Sequence, residues 1–186
     1  MKGYKATELD MTCRYYKFEM NKEFIHDGKL ILCRSGFHFC EKLENVFEYY
    51  SFSPRYRFFE VEIPDDANII TDESKSVTNK IKFVREIALD EVKELTEGKY
   101  HFEIDEYGNK WCNYIDIHVS YNEKGNIHND HGPAVIHDNL FAYYKNGHLH
   151  REDGTAVIKP SYQSYYKNGI MITKEKFAQL TTRKQK

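Results

Sequence analysis

Gly125, Gly147 and Gly169 recur at a fixed step of 22 residues, and this period constrains the chain more than any other feature. Tyr121, Tyr143 and Tyr165 keep the same step, as do His128 with His150, Gly132 with Gly154, and Ala134-Val135-Ile136 with Ala156-Val157-Ile158. Each unit holds a short apolar strand, an aromatic strand such as Phe141-Ala142-Tyr143-Tyr144, and the turn Lys145-Asn146-Gly147 or Lys167-Asn168-Gly169. Asn-Gly supplies the positive φ angles of a two-residue hairpin turn. Two short strands cannot bury their own apolar face, so successive units must stack into one sheet.

The first half has no such period. Residues 2 to 5 read as a strand, and Arg57 to Ile63 is the clearest strand in the chain, with Phe59, Val61 and Ile63 on one face. Lys80 to Ile87 is another, burying Ile81 and Phe83. Asp27-Gly28 reads as a hairpin turn leading into Leu30-Ile31-Leu32, a strand covered on both faces. Leu43, Val46, Phe47 and Tyr50 fall at i, i+3, i+4 and i+7, the spacing of a helix of about three turns over Glu41 to Tyr50. Pro54 follows its end. Asp90 is placed to cap a short helix through Thr96, with Gly98 just beyond it. The expected fold class is α+β. A mixed N-terminal domain spans 1–98, a linking hairpin 99–120 and the repeat module 121–173, with a short helix and basic tail at 174–186.

The net charge of -2 gives no electrostatic case for direct nucleic-acid binding. No apolar run reaches membrane-spanning length, and the start Met1-Lys2-Gly3-Tyr4-Lys5 is not a signal peptide. Cys13, Cys33, Cys40 and Cys112 form no Cys-x-x-Cys pair, so free thiols in a reducing cytoplasm are expected. The gap between Cys33 and Cys40 is wider than zinc-ligand pairs use, and the spacing of the histidines follows the repeat. No metal and no cofactor are expected.

The repeat resembles MORN-like tandem repeats, through Asn146-Gly147-His148-Leu149-His150-Arg151-Glu152-Asp153-Gly154. Asn129 stands where the arginine would be in the preceding unit, and Thr155 replaces the position of Pro133. The stretches Lys2-Gly3-Tyr4-Lys5, Gly36-Phe37-His38-Phe39-Cys40, Phe58-Phe59-Glu60-Val61-Glu62 and Thr78-Asn79-Lys80-Ile81-Lys82 look like a domain family found mainly in bacteriophages and prophages. That resemblance covers about residues 1 to 90 and implies a host-directed role in the host-cell cytoplasm. More distantly, a strand, a Gly-Phe-His turn, a helix and a Glu-rich strand resemble the core of ADP-ribosyltransferases. The departures are the missing Ser-Thr-Ser strand motif and Glu-x-Glu turn.

Two classes of function follow. The first is a phage-encoded protein that binds a host protein or protein complex, such as an inhibitor of a bacterial defence system of the anti-CRISPR kind. Its contact residues would be Tyr143, Tyr144, Tyr165, Tyr166, His150 and Arg151, since tyrosine and arginine are enriched at interfaces. The second is an ADP-ribosyltransferase-like enzyme or NAD- or nucleotide-binding protein, for which His38 and Glu86 are the catalytic candidates. A virion accessory protein is a third reading. His38, between two phenylalanines, reads more readily as a packed, half-buried structural histidine than as a catalytic one.

Overall fold

Strand accounts for 45% of the described residues and helix for 11%, so the α+β expectation is corrected to a mostly β protein. The computed structural model describes residues 1–182; the basic tail Arg183 to Lys186 lies outside the described residues. The chain forms two compact units, Met1–Tyr100 and His101–Lys186.

The first unit is built on a four-stranded antiparallel sheet in the order Lys2–Glu8, Tyr56–Glu62, Lys80–Ile87, Glu23–Ile25. A three-stranded sheet, Phe37–Phe39, Lys75–Thr78, Ile69–Asp72, adds to it. Alternation places Phe59, Val61, Ile81 and Phe83 on the inner face of the first sheet, where they join Phe18, Phe37, Phe39 and Ile63 in one core. Tyr4 ties the sheets together by exchanging backbone bonds with Cys40, at 2.7 and 2.9 Å.

The helices are short for physical reasons that lie in the tertiary structure. The α-helix over Glu41 to Tyr50 is limited to Leu43–Val46. Beyond it, Phe47, Glu48 and Tyr49 bond the residue three before them, and the chain tightens into turns. Tyr49 and Tyr50 are drawn off the helix face: their hydroxyls bond Ser74 at 2.5 Å and Cys13 at 3.1 Å. The second helix becomes a 3₁₀ turn, Leu89–Glu91, and one α turn, Val92–Leu95, started by the Glu91 carboxylate on the Ala88 N–H.

Leu30-Ile31-Leu32 is not a strand. The N–H groups of Arg34 and Ser35 both close on the Ile31 carbonyl, Cys33 takes a φ of 62°, and Ile31 is exposed. Asp27-Gly28 makes no hairpin either; the strand before it, Glu23–Ile25, pairs with Lys80–Lys82.

In the second unit eight antiparallel strands follow one another from Tyr100–Ile104 to Ile170–Ile172, and a small hairpin, Tyr144–Lys145 with His148–Leu149, stands beside them. The 22-residue period is visible in the bonding. Asn146 and Asn168 have φ near 50° and their N–H groups donate to Nδ1 of His128 and His150, at 3.2 and 3.1 Å. Ala134 and Ala156 are fully buried at equivalent positions. A nine-residue helix, Lys174–Thr182, sets Phe177 against Tyr165, with ring centroids 4.7 Å apart.

Candidate small-molecule site

A cavity of about 400 Å³ opens in the first unit around the stretch Cys33 to Cys40. Gly36 makes that stretch possible. Its φ is +103°, and a Cβ there would sit 2.6 Å from the side chains of both Leu30 and Val77. The turn is clamped from outside by Arg14, whose guanidinium donates to the carbonyls of Cys33 at 2.9 Å and Arg34 at 3.4 Å.

Lys5 lies in the cavity wall, on the strand face it shares with buried Gly3 and Thr7. It is 6% exposed, and its Nζ donates to the His38 carbonyl at 2.8 Å and lies 5.8 Å from the Phe18 ring centroid. Among the described residues it makes no ion pair with a carboxylate. Burial lowers its pKa, because a charged amine loses its hydration there; the Cys13 and Cys40 thiols oppose that shift and Arg14 adds to it.

His38 is held between buried Phe37 and Phe39, with its Nε2 accepting the Cys33 N–H at 2.7 Å. An acceptor at that atom requires the neutral ring. Desolvation first, then the charges of Lys5, Arg14 and Lys75, lower its pKa to about 4. The imidazole is therefore neutral at pH 7 and its Nε2 is occupied by the backbone. Burial raises the Cys40 thiol to about 11, so it stays protonated. Tyr50 is pushed well above the ordinary phenol range, first by burial and then by its bond to Cys13.

A second polar chain crosses the wall. Tyr16 Oη lies 2.9 Å from His26 Nδ1, and His26 Nε2 lies 2.8 Å from Ser35 Oγ. Lys75 closes the rim, 4.5 Å over the Tyr49 ring. The lining includes Lys5, Arg14, Arg34 and Lys75 and contains no Asp or Glu, although the chain as a whole is slightly acidic. Four tyrosine and three phenylalanine rings also line the wall.

A family model described as Domain of unknown function (DUF7666) matches residues 1–95. The chain belongs to this family. The matched segment contains every residue that lines the cavity, so the site is part of the DUF7666 domain itself. No curated protein and no solved structure matches the chain.

The structure separates the two catalytic candidates. His38 is in the DUF7666 cavity wall, whereas Glu86 lies on the sheet in a two-point pair with Arg57, at 2.8 and 2.6 Å, and does not line the cavity. Arg57 lowers the Glu86 pKa and keeps it ionised. In the repeat unit the contact candidates are half-buried and engaged with their own chain. Arg151 stacks on Tyr143 at 3.9 Å, His150 bonds Asn168 and Glu152, Tyr165 meets Phe177, and the Tyr166 carbonyl accepts the Arg151 N–H. Half-buried Tyr144 has its pKa raised by desolvation and by Tyr166.

Sequence reasoning missed Lys5, Arg14, His26 and Ser35. A signal existed for Lys5 alone: it takes the same strand face as Gly3 and Thr7. Among the described residues no three His, Cys, Asp or Glu side chains converge as a metal site would need, and no helix is long and apolar enough to cross a membrane.

Proposed function

We propose that the DUF7666 unit binds a small anionic ligand that carries a planar ring, with a nucleotide as the ligand class. The observation that supports this reading is the composition of one cavity wall: four Lys and Arg side chains, aromatic rings, and no carboxylate. Rings offer stacking faces to a base, and Arg14 and Lys75 offer charge to a phosphate. The volume of about 400 Å³ is in the range of small-ligand pockets. Calorimetry with AMP, adenosine and inorganic phosphate tests it. AMP binds, and removing its phosphate weakens binding at least about tenfold, the share of one charge-assisted bond. Lys75→Gln weakens AMP more than adenosine. No heat at millimolar AMP, or equal binding of adenosine, refutes the reading.

The repeat unit supports a second reading, a phage-encoded surface that docks on a host protein, an anti-CRISPR inhibitor being one form of it. Its likeness to MORN-type repeats belongs with this reading. The favouring observation is that Ile170 and Met171, on the last strand, are 68% and 62% exposed. Capture of a host protein by the wild-type chain, lost in Ile170→Glu/Met171→Glu, supports it; capture unaffected by the pair removes it.

A further inference from the structure

We propose that Lys5 is a nucleophile that forms an imine with a carbonyl compound bearing an aromatic ring and an anionic group. This deepens the ring-and-anion reading of the cavity and rests on it.

A lysine in a strand interior is expensive to bury, and an apolar side chain of similar length would fill the position without that cost. Lys5 is nonetheless buried at the cavity wall, with a backbone carbonyl as its hydrogen-bonded oxygen partner and no carboxylate ion pair among the described residues. The titratable groups that act on it include the Cys13 and Cys40 thiols, the Arg14 guanidinium and the His38 ring, which is neutral at pH 7. Burial pushes Cys40 up to about 11, so its thiol supplies no negative charge at neutral pH, and the Cys13 Sγ lies 3.1 Å from the Tyr50 hydroxyl. Desolvation favours the free amine, and a desolvated lysine is the form that attacks carbonyl carbon.

The step balances within the cavity. The Nζ lone pair forms a bond to the carbonyl carbon while the C=O π pair moves to oxygen, giving a carbinolamine. The nitrogen loses a proton, the hydroxyl takes one and leaves as water, and the C=N bond forms. Tyr50, whose hydroxyl keeps its proton and lines the same wall, is a donor for the departing oxygen. Arg14 and Lys75 would hold the anionic group, and the ring would lie against the tyrosines. No oxidant, reductant or metal is required for the imine itself.

The test uses the full chain with 4-formylphenyl phosphate and cyanoborohydride at pH 7, read by intact mass and peptide mapping. An exposed lysine is a free amine in roughly one molecule in 2,500 at that pH. Lys5 is expected to be labelled at least tenfold faster than exposed Lys29 or Lys124, and at least tenfold faster by the phosphate aldehyde than by benzaldehyde. Mapping on the wild-type chain makes the result independent of whether Lys5→Met folds. Labelling of Lys5 no faster than of Lys29 overturns the proposal. If AMP still binds in that case, the cavity reading stands and only the imine fails; if AMP does not bind, both fail.

Discussion

Replacing His38 by Gln should flatten the pH dependence of the first unit's stability. In the unfolded chain the ring protonates as the pH falls through about 6.5. In the folded chain it resists protonation down to about 4, because it is partly desolvated and faces Lys5, Arg14 and Lys75. The folded state therefore binds fewer protons over that window. Stability is fully present above pH 6.5, falls as the pH drops from 6.5 to 4, and does not change further from this group below 4. A shift of that size corresponds to roughly 3 kcal/mol for a fully buried ring. His38 is half-buried, so solvent screening leaves about 1–2 kcal/mol. Gln carries an amide oxygen that can accept the Cys33 N–H and has no proton to gain. Trp111 belongs to the second unit, so its fluorescence is the wrong probe. Amide hydrogen exchange of peptides covering Phe37–Phe39 and Lys80–Ile87 reads the first unit directly. The wild type should lose about 1–2 kcal/mol more protection than His38→Gln between pH 7 and pH 4. Matching profiles, within about 0.3 kcal/mol, would refute the account of His38 as a buried neutral acceptor.

Gly36→Ala should cost about 2–4 kcal/mol, since φ is +103° and the new Cβ meets Leu30 and Val77 at 2.6 Å; unchanged exchange at Phe37–Phe39 would contradict this. Glu86→Gln breaks an exposed pair with Arg57 and should cost under about 1 kcal/mol while leaving AMP affinity unchanged, because Glu86 does not line the cavity; a tenfold loss of affinity would return it to the site. Ser164→Ala should be neutral or stabilising by up to about 1 kcal/mol, because its buried hydroxyl has no partner in the structure and the equivalent position one unit earlier is already Ala142; a loss above about 1 kcal/mol in urea unfolding would show that the hydroxyl is satisfied.

Elements with one strong local period were legible. Tyr56–Glu62 and Lys80–Ile87 carry alternating apolar side chains, and Asn146-Gly147 and Asn168-Gly169 supply the positive φ their turns need. Elements decided by distant partners were not. Helical spacing over Glu41 to Tyr50 lost to the hydroxyl bonds that Tyr49 and Tyr50 make with Ser74 and Cys13. Apolar Leu30-Ile31-Leu32 lost to the tight turn on the Ile31 carbonyl, which Gly36 allows the chain to follow. Fold class went wrong for the same reason, since both helices of the first unit shrank to about one turn. In the cavity, the turn at Gly36-Phe37-His38 was legible. Its chemistry comes from Lys5 and Arg14, which precede it by some 20 to 30 residues and reach it only through strand pairing and the loop clamp.

The most direct measurement is an amide NMR titration of the full chain with AMP. Shifts confined to Lys5, Arg14, Ser35, Gly36 and Lys75, saturating below millimolar AMP and needing at least about tenfold more adenosine, are the predicted result. Shifts centred on the repeat strands from Ile117 to Ile172, or none at millimolar AMP, would contradict a ring-and-anion site in the DUF7666 domain.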